Sequence, residues 1–142
     1  QFAFDGKAEN SYLPHNYESS HCICYTGTHD NATLMGWREE EKAETVAFAE
    51  EYLGLNEMEG FAWGMIRGGM SSVAELFMTT MQDYLELGQY HRMNTPGVAV
   101  GNWQWRLLPG EDNDVLAEKI RRLTERYGRC ESKETENKEA EH

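Results

Sequence analysis

Apolar positions along this chain fall into a few short runs separated by polar or glycine-rich stretches. Residues 22–25 (Cys-Ile-Cys-Tyr) form a strand-like apolar run that opens into Thr26-Gly27-Thr28-His29-Asp30-Asn31. That is the pattern of a buried parallel strand where it meets a loop. Over residues 37–53, Ala43, Val46, Ala47 and Leu53 recur at helical spacing, while Arg38, Glu39, Glu40, Glu41, Lys42 and Glu44 coat the other side. The spacing predicts one helix, stopped by Gly54. Residues 57–67 predict a second, with Met58, Phe61, Ala62, Met65 and Ile66 on one face and Gly68-Gly69 as its break.

Ser71 then sits where it could cap a short helix over residues 72–76, with Glu75 near the place a capping box requires. Residues 77–85 fit helix or strand equally by periodicity. Residues 88–101 carry Gly, Asn and Pro at turn spacing and predict a long loop, a kind of segment that in compact domains is usually functional. Val115, Leu116, Ile120, Leu123 and Tyr127 form the inner stripe of a final amphipathic helix over residues 115–127. The order is α/β with parallel strands, whose chemistry sits at the carboxyl ends of the strands, where Thr28-His29-Asp30-Asn31 falls. Two or three strands cannot close a barrel, so the pattern is too short for its own architecture.

Length and charge narrow the picture. A chain of 142 residues makes one domain, able to bury roughly 70% of its unfolded surface. Residues 131–142 hold five Glu and two Lys with no large apolar side chain, so they are expected to be a solvated acidic tail beyond a 1–130 domain. A net charge of -12 argues against nucleic acid or an anionic membrane as partner, and no run approaches the roughly 20 apolar residues of a membrane span. Without a visible leader before Gln1, the chain is expected to begin mid-gene. Cys22 and Cys24, two apart on a strand, share a face at a spacing unsuited to a disulfide, and with Cys130 they predict buried, reduced thiols in a cytoplasmic protein. Neither cysteine nor histidine spacing suggests a metal site.

Three clusters could carry chemistry. His29-Asp30 reads most simply as a polar strand end whose carboxylate caps the next helix. Metal ligation is weaker for lack of near ligands, and the third reading is a carboxylate that stabilises positive charge developing on a substrate such as a sugar oxocarbenium ion. Asn102-Trp103-Gln104-Trp105-Arg106 places two indoles around a polar residue, either as loop anchors or as faces for sugar rings, with Asn and Arg meeting hydroxyls. Tyr12-Leu13-Pro14-His15-Asn16-Tyr17 by itself is only a turn.

Taken in order, these clusters with Phe2-Ala3-Phe4-Asp5-Gly6, Gly36-Trp37, Gln82-Asp83 and Arg92-Met93-Asn94-Thr95-Pro96-Gly97 resemble the 4-α-glucanotransferases (amylomaltase or disproportionating enzyme, glycoside hydrolase family 77) over nearly all of residues 1–127. The resemblance implies the C-terminal part of a (β/α)8 TIM barrel, incomplete in this chain. It implies retaining transglycosylation of α-1,4-glucans and maltooligosaccharides with no cofactor and no metal. By the same token Asp30 is the transition-state stabiliser with His29 beside it, Asn102 contacts substrate, and Phe4 and Asp5 are candidate contacts on a mobile acceptor-side loop. Trp103 is a candidate sugar platform. Ala32 stands where the family usually has Asp, and Thr79-Thr80 replaces a more apolar, Pro-containing stretch. Asn31-Ala32-Thr33 is formally a glycosylation sequon, but at a strand end over a site it is a chance match.

The family's nucleophile Asp and acid/base Glu lie upstream of the Phe-Ala-Phe-Asp-Gly segment. A retaining mechanism needs two carboxyl groups roughly 5–5.5 Å apart about the bond, and Asp30 is neither. The expectation is therefore an inactive isolated chain whose partner is the N-terminal remainder of the barrel, prone to self-association through unpaired edges. The alternative is a non-catalytic glucan-binding domain or a subunit that completes a split barrel.

Overall fold

Strand β1 (Ile23–Tyr25) and strand β2 (Leu76–Met78) pair in parallel, with Ile23 opposite Leu76, Cys24 opposite Phe77 and Tyr25 opposite Met78. The computed structural model describes residues 1–130, and among these the sheet has only these two strands. Side chains on neighbouring parallel strands share faces in register. Cys24 is buried, and Phe77 lies against Gly69 of the helix that covers that face. Ile23, Tyr25, Leu76 and Met78 project from the opposite face, each between 45% and 49% exposed. The expectation of a buried strand therefore holds for one face only, because among the described residues no layer covers the other.

The crossover from β1 to β2 runs through three helices: α1 (Leu34–Glu40), α2 (Ala43–Leu53) and α3 (Phe61–Met70). A single helix over residues 37–53 is corrected to two. Thr33 begins α1 early, its hydroxyl accepting from Gly36 N at 3.1 Å, and the chain turns extended at Glu41 (ψ 160°) and Lys42 (ψ 141°). The predicting stripe of Ala43, Val46, Ala47 and Leu53 lies wholly in α2, so it carried no information about the first segment. Gly54 does end α2, in the left-handed region at φ 61°.

Gly68-Gly69 does not break α3, which continues to Met70 with nine of its ten residues buried. These glycines serve close approach instead. A Cβ on Gly68 would come within 2.6 Å of Leu53 Cδ2, and one on Gly69 within 2.2 Å of Phe77 Cε2. Glycine is costly in a helix interior, and here the loss is offset by bringing α3 onto both α2 and the sheet. The short helix expected over residues 72–76 is absent. Ser71 is the C-cap of α3, its Oγ donating to Gly68 O at 2.9 Å, and Glu75 N is drawn to Ser20 O at 2.8 Å, leading the chain into β2. The ambiguous residues 77–85 divide between β2 and a short helix, α4 (Met81–Tyr84), capped by Thr80.

Core packing adds an aromatic cluster in which Phe4 meets Trp37, Phe48 and Tyr52 at centroid separations of 5.8, 6.4 and 6.3 Å, and Trp37 stacks on Phe61. Residues 1–108 form one compact unit, and residues 109–130 belong to a second. The second contains α5 (Asp114–Arg126), capped by Asn113, close to the predicted span; Leu123 is buried and Val115 is exposed. Arg121 and Arg122 bind Glu118 on its outer side and hold that carboxyl down at about 2. All three cysteines are free; Cys24 is buried, Cys22 half-buried and Cys130 exposed, which corrects the expectation of burial for the last. The predicted acidic tail lies outside the described residues.

Asp83 on α4 joins three of these elements although its residue is only 2% exposed. Its Oδ1 accepts from Leu34 N at 2.8 Å, at the start of α1. Its Oδ2 accepts from the Thr26 hydroxyl at 2.8 Å and from the Thr79 hydroxyl at 3.4 Å, at the ends of β1 and β2. Asp83→Ala strands the Leu34 amide and is expected to cost about 2–4 kcal/mol, while Asp83→Asn keeps one acceptor and costs about 1 kcal/mol. Urea unfolding followed by circular dichroism checks both. Gly69→Ala is expected to cost about 1–3 kcal/mol through overpacking against Phe77, read as a lower urea midpoint with an unchanged slope.

Candidate functional site

The loop after β1 is shaped by its own short side chains. Asn31 Oδ1 accepts from Thr28 N at 2.7 Å and Thr28 Oγ1 at 3.0 Å, and Thr28 Oγ1 in turn accepts from Asp30 N at 3.3 Å. Such Asx and Ser/Thr bonds fold a loop without a helix or sheet. Asp83 holds both stems, at Thr26 and at Leu34. His29 and Asp30 at the crest keep side chains 56% and 50% exposed, with Nε2 of His29 3.2 Å from Asp30 Oδ1. Asp30 does not cap α1; Thr33 does. The carboxylate is thus free of the structural duty that was its simplest reading.

A second loop, over residues 88–103, comes alongside. Gln82, buried next to Asp83 on α4, donates to His91 O at 3.1 Å, and Gly36 lets the turn at Gln89–His91 pack closely, since a Cβ there would sit 2.6 Å from Gln89 Cβ. Arg92 Nη2 then donates to Asp30 O at 3.0 Å and Asn94 N to His29 O at 3.1 Å. The Asn94 side chain donates from Nδ2 to Asp30 Oδ1 at 2.7 Å. Trp103 N donates to Met93 O, bringing the indole to 5.0 Å from the His29 ring. Trp103 is 53% exposed and adopts φ 64°, a strained conformation for a bulky residue and one that clusters at ligand sites.

Asp30, His29 and Trp103 are therefore brought together. Asn102 is adjacent, but its side chain is engaged within the loop, Oδ1 accepting from Thr95 N at 2.9 Å and Nδ2 donating to Val98 O at 2.7 Å. Phe4 and Asp5 do not join this cluster. Phe4 is 6% exposed in the aromatic core, so the expected contact on a mobile loop is instead a packing residue. Asp5 is exposed and turned to its own loop; hydrogen bonds from the Asn10 side chain and Lys7 N hold its carboxyl below the usual range. Arg92 and Asn94 were not among the predicted site residues, although both lie in the Arg-Met-Asn-Thr-Pro-Gly motif.

The chemistry on offer is that of a half-exposed carboxylate with one oxygen committed. Oδ1 takes a hydrogen bond from Asn94 and lies 3.2 Å from His29 Nε2, and among the described residues Oδ2 has no hydrogen-bond partner. An ionised carboxylate in that state can accept from neighbouring hydroxyls or face a developing positive charge, beside an indole suited to an apolar ring face.

Residues 1–111 match the family described as 4-alpha-glucanotransferase. The 4-alpha-glucanotransferase of Clostridium butyricum is 51% identical over 136 residues, covering 92% of this chain and 27% of the relative. That of Thermus thermophilus is 44% identical, covering 88% and 26%, and the chloroplastic/amyloplastic enzyme of Solanum tuberosum is 43% identical, covering 91% and 23%. A solved structure, an amylomaltase from Streptococcus agalactiae in complex with acarbose, matches at a TM-score of 0.81 and 32% identity, covering 89% of this chain and 26% of that one. The chain belongs to the 4-alpha-glucanotransferase family, and it spans about a quarter of the length of the curated relatives it matches.

Because Asn102 closes the loop that presents Trp103, Asn102→Ala is expected to cost about 1–2 kcal/mol and to speed hydrogen exchange at the Thr95 amide. Asn102→Asp retains the acceptor for that amide and should retain its protection. Exchange measured residue by residue by NMR distinguishes the two.

Proposed function

We propose that this chain is the portion of a 4-α-glucanotransferase that supplies the transition-state carboxylate, Asp30, to retaining transfer of α-1,4-glucan segments between maltooligosaccharides. The observation that carries the reading is the carboxylate held through Oδ1 beside an exposed indole at the carboxyl end of a parallel strand. In that role Asp30, with His29, faces the donor sugar, accepting from its hydroxyls and opposing the positive charge of the oxocarbenium-like transition state. Trp103 offers a stacking face. Asn102 acts by holding that face, and Phe4 packs in the aromatic core; Asp5 stays a candidate contact on the outer loop.

The parallel strands, covered by helices on one face and bare on the other, suit a segment of a (β/α)8 barrel whose remaining strands would cover Ile23, Tyr25, Leu76 and Met78. On this reading the nucleophile and the acid/base, roughly 5–5.5 Å apart in a retaining site, come from the rest of the barrel, and the chain alone does not turn over. Among the described residues no helix is long and apolar enough to cross a membrane, and three free thiols suit a cytoplasmic setting. The exposure of Trp103 also favours a second reading, a glucan-binding segment without catalysis of its own.

In the complete enzyme, Asp30→Asn is expected to lower kcat for maltotriose disproportionation by roughly 100- to 1000-fold, the usual scale for losing one transition-state electrostatic contact. Near-normal turnover would overturn the role given to Asp30. For the binding reading, titrating the chain with maltoheptaose should change Trp emission; no change at about millimolar sugar, weak binding by any measure, counts against it.

A further inference from the structure

We propose that Asn94 is the positioning residue of this site: it fixes the rotamer of Asp30 through Oδ1 and leaves Oδ2 open to the substrate, without neutralising the carboxylate. This inference rests on the role proposed for Asp30. A side chain that is 50% exposed samples several rotamers unless something outside its own loop restrains it. His29 is the next residue and moves with the same loop. Asn94 comes from the other loop, 64 residues away in sequence, and its Nδ2 reaches Oδ1 at 2.7 Å.

The surrounding bonds make this restraint stiff. Asn94 N is anchored to His29 O at 3.1 Å, and Arg92 Nη2 to Asp30 O at 3.0 Å, so the two backbones are tied at adjacent residues before the side chains meet. Arg92 also reaches back to Asn94 O from Nε at 3.4 Å. The choice of groups is informative. The guanidinium, which would pair readily with a carboxylate, is spent on main-chain oxygens, and a neutral amide meets the carboxylate itself. A group that must oppose positive charge on a substrate keeps its field only if no fixed cation cancels it. An amide can donate without doing so.

The test uses the complete enzyme with maltotriose as substrate and compares Asn94→Ala, Asn94→Asp and Asp30→Asn. Losing a hydrogen bond to a charged group is expected to lower kcat roughly 10- to 100-fold. KM for Asn94→Ala should change less than about threefold, because the Asn94 amide bonds the carboxylate and not the sugar. Asn94→Asp sets two carboxylates at hydrogen-bonding distance, with the His29 imidazole and the Arg92 guanidinium as the other titratable or charged groups facing them. Such a pair shares one proton at low pH, when the introduced carboxyl can still donate to Asp30, and loses it as pH rises. The kcat of this variant should therefore begin to fall at a lower pH than the alkaline limb that the acid/base gives the parent enzyme and Asn94→Ala.

A packing role alone would lower the melting temperature and leave the shape of the pH profile unchanged. Asn94→Ala within about twofold of the parent, a difference far below one hydrogen bond, together with an inactive Asp30→Asn, overturns the positioning role and keeps that of Asp30. An Asn94→Asp profile parallel to the parent's overturns it as well. Full activity in Asp30→Asn instead removes the reading on which this one rests. Should Asn94→Asp fail to fold, the split between kcat and KM in Asn94→Ala decides.

Discussion

The site depends on two adjacent polar residues that the fold buries on one short helix. Gln82 and Asp83 are 6% and 2% exposed, and each serves a different loop: the amide holds His91 O, and the carboxylate holds Thr26 and the Leu34 amide. Buried polar groups of this kind are tolerated only when satisfied. Their satisfaction here requires the carboxyl ends of both strands, the start of α1 and the turn at Gln89–His91 to converge on α4. Loops that would otherwise be tethered only at their ends are thereby set against each other, and Asp30 and Asn94 meet.

From that convergence follows a division of labour within the cluster. Main-chain oxygens of His29 and Asp30 take the strong donors, Asn94 N and Arg92, so the backbone is fixed without using the side chains. The carboxylate keeps one oxygen in reserve, and the indole is presented by a left-handed backbone at Trp103 that the neighbouring bonds must hold in place. In the role proposed for Asp30, a carboxylate arranged in this way would be preorganised, the cost of orienting it being met in folding.

The same architecture explains why the bare face of the sheet is compatible with a well-packed site. Helix α3 covers the side carrying Cys24 and Phe77 through glycines that admit Leu53 and Phe77 at contact distance. Among the described residues no side chain of Ile23, Tyr25, Leu76 or Met78 is hydrogen-bonded to α4 or to the two loops it anchors, although Thr26 N donates to Met78 O at 3.1 Å. The loop geometry is therefore set chiefly from the helical side of the sheet.

Local patterning determined a good deal by itself: the apolar run of β1, the Gly54 stop, α5, and the ordered motifs that mark the family. These are legible because periodicity, helix stops and motif order are properties of neighbouring residues. Tertiary structure decided the rest. The run 37–53 became two helices, Gly68-Gly69 became a packing surface where a break was expected, and Ser71 ended one helix instead of starting another, since Glu75 had a partner at Ser20. At the site, Asp30 and Trp103 were readable from their motifs, whereas Asn94 gained its meaning, and Phe4 and Asn102 their structural duties, from contacts across the fold. A hydrogen bond between residues 64 apart leaves no trace in the spacing of either one's neighbours.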